Sequence, residues 1–455
     1  MSLFSSRRTL LKRLGAVGLG AGVTSFAGFP VKESLAASGN EYKALICVFL
    51  NGGVDGNDIL VPVDASYQDY SKARPSLAIA KDSLITLSGG SGGRTLGVPT
   101  MVKELATLYE QGRLSMIANV GALVKPVTAA QVVARTANVP PFLFSHSEQS
   151  AYIQGWMGDV DASGWAGRAM ERIPTDLRDR LPVISYSMDN TLLLGKQSRV
   201  TQTSPNWGQY WGTADLSNTK NPLNGVIESM GLMQSRNVFE AEYARTLGAT
   251  FRDAVAMSTL GKLAKPPANT YPKNDLADSL RHIAGLMPVF KAAGIKRQVF
   301  LVSFGAFDTH VKQRGTGEFS LDTQIASAVQ ALAAFDQSVQ AAGLDQNVVT
   351  LSFSEFGRAL QPASGGGTDH AWGNHWWLMG GPVRGKQIVG TYPSLALGGV
   401  DDGDQWKKGR WVPTIAGDQV GASLMQWLGV PASELLSAFP SLSNFSQKTL
   451  PLLYT

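Results

Sequence analysis

Residues 42–50 read Tyr-Lys-Ala-Leu-Ile-Cys-Val-Phe-Leu, a nearly continuous apolar run that stops at Asn51-Gly-Gly-Val-Asp-Gly-Asn-Asp58. A strand with one wet face alternates apolar and polar residues, whereas an unbroken run of this length is how a strand covered on both faces reads. Comparable runs occupy Leu114–Val120, Leu181–Tyr186, Val299–Ser303 and Asn347–Phe353. Stretches of helical spacing alternate with them, at 101–112, 236–262, 275–293 and 321–341; in the third, Leu280, Ile283, Ala284 and Met287 share a face. This alternation predicts an α/β fold, a mostly parallel central sheet with helices on both faces. Residues 200–235, rich in Asn, Thr, Gly, Ser and Trp, read as an irregular insertion. In such sheets ligands bind beyond the carboxyl ends of the strands, which is where chemistry is to be sought.

The first 36 residues have another character. Arg7 and Arg8 are preceded by Ser6 and followed by Leu10, Leu11 and Lys12. A glycine-rich apolar stretch from Leu14 to Phe29 comes next, short of the ~20 apolar residues that span a bilayer comfortably. Ser34-Leu-Ala36 then offers small residues for cleavage, with Ala37 as an alternative. That order is a twin-arginine export signal. It implies the twin-arginine translocation machinery as a partner, a periplasmic or extracellular address and no stable membrane span after cleavage. The glycines between Gly15 and Gly22 follow no strand and are not a dinucleotide loop. The expected organisation is a signal at 1–36 and one α/β domain over 40–455.

Charge is read with the signal set aside. The 455-residue chain carries a formal +5, and Arg7, Arg8, Lys12, Arg13 and Lys32 against Glu33 place most of it in the signal. The remainder is close to neutral and gives no footprint for nucleic acid. Cys47, in the first apolar run, is the single cysteine, so no intramolecular disulfide forms although export would permit one. It reads as a small buried hydrophobe.

Chemistry-bearing residues follow the predicted strands. Asp55 follows the first run, Phe307-Asp308-Thr309-His310 the fourth, and Ser354-Glu355-Phe356-Gly357-Arg358 the fifth. Gly367-Thr-Asp369-His370-Ala-Trp-Gly-Asn374-His375 comes shortly after. Of five histidines, three lie in these segments, His146 lies in Phe144-Ser145-His146-Ser147, and His282 falls on a predicted helix as a structural residue. Histidine with carboxylate suits zinc, manganese or iron, while carboxylate alone would suit magnesium or calcium. No local spacing of the zincin kind is present. Asp401-Asp402-Gly403-Asp404 reads as a solvated turn before a calcium loop. Gly380–Gln387 lacks the Ser/Thr that follows lysine in a phosphate loop. Trp372, Trp376 and Trp377 flank the histidines, as core or as a stacking platform for a sugar, core being the stronger reading.

Gly52-Gly-Val-Asp-Gly56, Ser145-His146 followed by Trp156, Gly164-Trp-Ala-Gly-Arg168, Asp308-Thr-His310, Ser354-Glu-Phe-Gly-Arg358 and Thr368-Asp-His-Ala-Trp-Gly-Asn374 together resemble the exported domain-of-unknown-function 1501 family, over about residues 42–395. That family resembles the alkaline phosphatase and sulfatase superfamily, so the resemblance implies an alkaline-phosphatase-like sheet with metals at its carboxyl edge. It implies metal ligation by Asp55, Asp308, His310, Glu355 and His370, with a divalent cofactor such as zinc or manganese. Phe356 stands where the superfamily has a second-metal histidine. The resemblance offers Ser145 as nucleophile, with Ser147 a second choice where the family has phenylalanine; capping of the helix before Glu148-Gln149 is the structural alternative for both. Arg358 or Arg168 would clamp an oxyanion. The function implied is an exported metal-dependent hydrolase of phosphate or sulfate esters. The alternatives are a non-catalytic exported binding or assembly protein on a degenerate hydrolase fold and, from the export route alone, a cofactor protein folded before export, for which no cofactor motif is visible.

Overall fold

The computed structural model describes residues 42–155, 162–205, 210–211, 214–215 and 220–454. Residues 1–36, expected to be an export signal, and Trp156 lie outside the described residues. Among those described, nine strands form the central sheet: β1 (Lys43–Leu50), β2 (Leu114–Gly121), β3 (Val183–Ser185), β4 (Thr201–Gln202), β5 (Arg297–Phe304), β6 (Val348–Phe353), β7 (Asn374–Met379), β8 (Gln387–Val389) and β9 (Ile415–Ala416). Their order is β8-β2-β7-β6-β1-β5-β3-β4, with β9 also on β2. β1 lies at the centre, parallel to β5 on one side and β6 on the other. The sheet is mostly parallel, as the alternation predicts. The exception is β7, which runs antiparallel to both β6 and β2.

The unbroken apolar run of β1 has the expected cause. Ala44, Ile46, Val48 and Leu50 belong to one core, with Leu280 and Ile283 of helix Asp275–Ala292 and Leu332 and Phe335 of helix Leu321–Ala341. Leu45, Cys47 and Phe49 belong to the other, with Trp165 of helix Trp165–Met170 and Leu424 and Leu428 of helix Gly417–Leu428. Alternate side chains thus enter different cores, and both are dry. Cys47 is buried, and burial pushes its thiol well above the ordinary value, so it is inert packing. Trp372, Trp376 and Trp377 are core residues as well.

One expectation changes. The 200–235 stretch contains helix Pro222–Met230, capped by the Asn221 side chain on Leu223 N. Asparagine followed by proline at the first helical position is a helix start that composition alone obscures.

His375 is pure interior. It accepts from Asn119 N at 3.1 Å, stacks on Tyr392 at 5.1 Å and is held down to about 4 by burial. The unfolded imidazole protonates near 6.5, so between those values the unfolded chain binds the extra proton. This contribution to stability is complete above pH ~6.5 and is lost by about 3 kcal/mol as pH falls to 4. Urea midpoints across that window should show the loss, and His375→Gln should flatten it. An unchanged slope in the variant would refute the assignment.

Candidate metal centre

Three loops at the carboxyl edge are tied together before any functional side chain is placed. Phe307 N, beyond β5, donates to Asn51 O at 2.8 Å. Ser354 Oγ, beyond β6, donates to Leu50 O at 2.7 Å and accepts from Val54 N at 3.1 Å. Gly52 has φ +106°, and a Cβ there would stand 2.5 Å from Asp308 N. The loops after β1 and β5 can therefore touch only through glycine. From β6 the chain enters a hairpin, Arg358–Pro362 against Thr368–His370, in which Arg358 and His370 are cross-strand partners. His146 arrives separately, as the first residue of helix His146–Ile153.

These elements bring four side chains to one point. His310 Nε2 and His370 Nε2 each lie 3.0 Å from Asp308 Oδ1, and 2.9 Å from one another. His146 Nε2 lies 3.5 Å from Asp308 Oδ2. Ligand atoms of His146, Asp308 and His370 all fall within 4.8 Å of one another. The other ring nitrogens set the tautomers. His370 Nδ1 meets Phe144 O at 2.6 Å, and a carbonyl only accepts, so Nδ1 donates. His146 Nδ1 donates likewise to Glu355 Oε1 at 2.8 Å. Both neutral rings then turn an Nε2 lone pair toward the Asp308 carboxylate. His146 Nε2 is buried without a hydrogen-bond partner among the described residues. Acceptors facing an anionic acceptor, each ring braced from behind, make a donor set that fits a divalent cation.

Electrostatics agree. Partial burial alone would raise Asp308, but Arg358, with His370 and His310, holds it down to about 2. The Glu355 hydrogen bond pushes His146 up from its ordinary value against desolvation, whereas desolvation takes His370 down.

Several expected site residues sit elsewhere than expected. Asp55 does not face the cluster. It is fully buried, paired with Arg74 and accepting from Gln313 at 2.8 Å and Asn57 at 3.1 Å, so its lone pairs are spent. This corrects its reading as a ligand. Glu355 is corrected from ligand to support: Oε1 also takes Gly52 N at 2.8 Å, and Oε2, 2.8 Å from Ser354 Oγ, shares that hydroxyl proton with Leu50 O. Arg358 is no free oxyanion clamp. It is buried and donates to Gly53 O at 2.7 Å, Thr368 O at 2.9 Å, Phe307 O at 3.1 Å, Gly52 O and Asp308. Arg168 is likewise buried, on the carbonyls of Ala438, Ser163 and Gly155. Ser145 occupies the N-cap of its helix, but its side chain makes no capping bond. Instead Ser145 and Ser147, with Oγ atoms 3.2 Å apart, both donate to Glu148. His146 is the donor missing from the expected ligand set. Its signal was the Phe-Ser-His segment itself, where left-handed Phe142 and Phe144 (φ 53° and 77°) are strained as functional backbone often is. Phe356 packs on His146 and His370 with ring centroids 4.8 and 4.7 Å away.

The class is thus an α/β protein whose mostly parallel sheet carries a histidine–carboxylate cluster at its carboxyl edge. The chain belongs to the DUF1501 family of proteins of unknown function, whose profile matches residues 42–406. No curated protein matches the sequence. Solved structures similar to it include Ps i-CgsB in complex with k-i-k-neocarrahexaose, at 9% identity and TM-score 0.36, covering 90% of this chain and 77% of that one. The lipoteichoic acid synthase LtaP from Listeria monocytogenes gives 8% and 0.34, covering 86% and 73%. A protein in the alkaline phosphatase superfamily from Vibrio parahaemolyticus gives 8% and 0.32, covering 94% and 76%. These likenesses are distant, and the side chains carry the functional reading.

Proposed function

We propose that this chain is an exported metal-dependent hydrolase of phosphate or sulfate esters. The observation that supports it is the convergence of three imidazole Nε2 atoms on the Asp308 carboxylate. His146, Asp308 and His370, with His310 beside them, would hold one divalent ion, zinc or manganese by donor type. Such an ion supplies Lewis acidity and lowers the pKa of an oxygen nucleophile. Arg358 keeps Asp308 ionised and oriented. Glu355 and Phe144 O fix the rings, and Phe356 keeps water from their faces. Ser145 and Ser147 offer the hydroxyls, with Glu148 to orient them and accept a proton. The second reading, a non-catalytic exported binding or assembly protein, draws on Asp55 and Phe356, which leave no ligands for a second ion of the superfamily kind.

Metal-loaded protein should turn over an aryl phosphate or an aryl sulfate, and turnover should vanish with chelation. Either Ser145→Ala or Ser147→Ala should abolish it without loss of metal. Metal-replete protein inert to both ester classes would leave the binding-protein reading.

The export half rests on the Arg7-Arg8 segment. Arg7→Lys combined with Arg8→Lys should strand the full-length chain in the cytoplasm, read by fractionation and N-terminal sequencing, with the native mature chain starting near Ala37. Processing that survives the double substitution would reject the twin-arginine route. No helix among the described residues is long and apolar enough to cross a membrane.

A further inference from the structure

The segment Lys408–Trp411 runs along the outer edge of the hairpin that carries His370. Leu360 N donates to Gly409 O and Gln361 N to Lys408 O, both at 3.0 Å. The acidic run at 401–404 fixes this edge. Asp402 is buried and accepts the N–H groups of Gly398, Gly409, Arg410 and Asp404 at 2.8, 3.0, 3.0 and 3.1 Å. Its oxygens are spent on backbone donors, so the run is a structural brace and not a calcium loop.

The braced edge carries two cations, and they differ. Lys408 Nζ is matched by Asp369 at 3.2 Å, and Asp369 lies 3.6 Å from His310 Nδ1. Arg410 forms one long ion pair, with Asp404. Its Nε is buried without a hydrogen-bond partner among the described residues, and Asp404 stands 3.7 Å away, beyond hydrogen-bond reach. Its guanidinium lies 4.7 Å from the ring centroid of Phe144, whose own carbonyl binds His370. Stacking on an aromatic face holds a guanidinium in place without neutralising it. Asp308 is already matched by Arg358, whereas the Arg410 charge is met only loosely, by Asp404 at 3.7 Å, and its field also reaches Asp369.

We infer that Arg410 anchors the anionic head of the substrate, its planar fork taking two non-bridging oxygens of a phosphate or sulfate monoester bound at the cluster. A planar fork matches two such oxygens better than a point charge does. This role rests on the hydrolase reading of the cluster, and it replaces the clamp that Arg358 and Arg168 are too deeply committed to provide.

Titration calorimetry of the metal-loaded protein with inorganic phosphate, and separately with inorganic sulfate, reads the anchor without turnover. Arg410→Met keeps bulk on Phe144 and removes the fork. It should weaken the preferred anion about tenfold or more and raise KM for the matching aryl ester by a similar factor, with kcat within about threefold and metal content unchanged. Arg410→Lys should fall between, and it carries the same comparison if the methionine variant does not fold. Whichever of phosphate and sulfate binds more tightly names the ester class. Anion binding that is equally tight in Arg410→Met overturns the anchor, whether or not an ester is turned over. Absence of binding by both anions at millimolar concentration also overturns it. Arg410-dependent anion binding without any turnover would sink the hydrolase reading and leave the anchor standing.

Discussion

Asp308→Asn is expected to lower divalent-metal affinity by at least about 100-fold and to abolish any ester hydrolysis with it. Asp308 is the one carboxylate on which the Nε2 atoms of His146, His310 and His370 converge. The amide still accepts from Arg358, so the loops after β1 and β5 should keep their places and the loss should be one of charge at the cluster. Competition with a chromophoric chelator measures the affinity, and urea unfolding checks the fold. Glu355→Gln should give an intermediate loss of about 10- to 100-fold, because that carboxylate orients and charges His146 from behind. Asp308 is held down to about 2 and stays ionised throughout the useful range. Affinity should therefore weaken through the histidines as pH falls toward about 6. Stoichiometric metal retained by Asp308→Asn would place the ion elsewhere.

Arg74→Met is expected to destabilise the fold by about 3–5 kcal/mol at neutral pH. Arg74, Asp55 and Asp58 are all fully buried, and the guanidinium stands against both carboxylates. Burial alone would raise the Asp55 carboxyl, yet Arg74 with Gln313 keeps it below the usual range. Removing the arginine strands two neighbouring carboxylates in the interior, with Arg314 the remaining cation, 2.7 Å from Asp58. Asp55→Asn in the Arg74→Met background should restore part of the loss. Asp55→Asn alone should leave metal content unchanged, an outcome opposite to the one a ligand would give. Denaturant titration and metal analysis on the three variants decide both points, and a metal-free Asp55→Asn protein would return Asp55 to the ligand set.

Much of the scaffold is legible along the chain, because it depends on local periodicity. The helix at 321–341 falls where its spacing puts it, and β1, β5 and β6 fall within a few residues of their apolar runs. β7 is not legible in the same way. Asn374-His-Trp-Trp-Leu-Met379 is wholly buried, but its polar and indole side chains break the apolar signature. Its antiparallel direction depends on where the preceding hairpin returns it, which is a tertiary matter. The same separation runs through the site. That Asp308, His310 and His370 lie together is foreshadowed by their places after the strands, because strand-end loops of a parallel sheet gather polar side chains at one edge. Asp55 occupies an equally promising position, yet its role is decided by Arg74, nineteen residues later and on another element.

The amino-acid sequence by itself determined the sheet type, the buried strands, the pool of histidines and carboxylates and the strand ends from which most of them project, because burial and backbone preference act over a few neighbouring residues. Only the tertiary structure decided which members of that pool meet. It turned Asp55 inward to a buried guanidinium, moved Glu355 behind His146, brought in His146 from a distant helix and committed Arg358 to loop carbonyls while leaving Arg410 with one long ion pair. Those outcomes depend on which charge finds its partner in a medium that penalises unpaired charge, and the partners come together only when segments far apart in the chain are folded against each other.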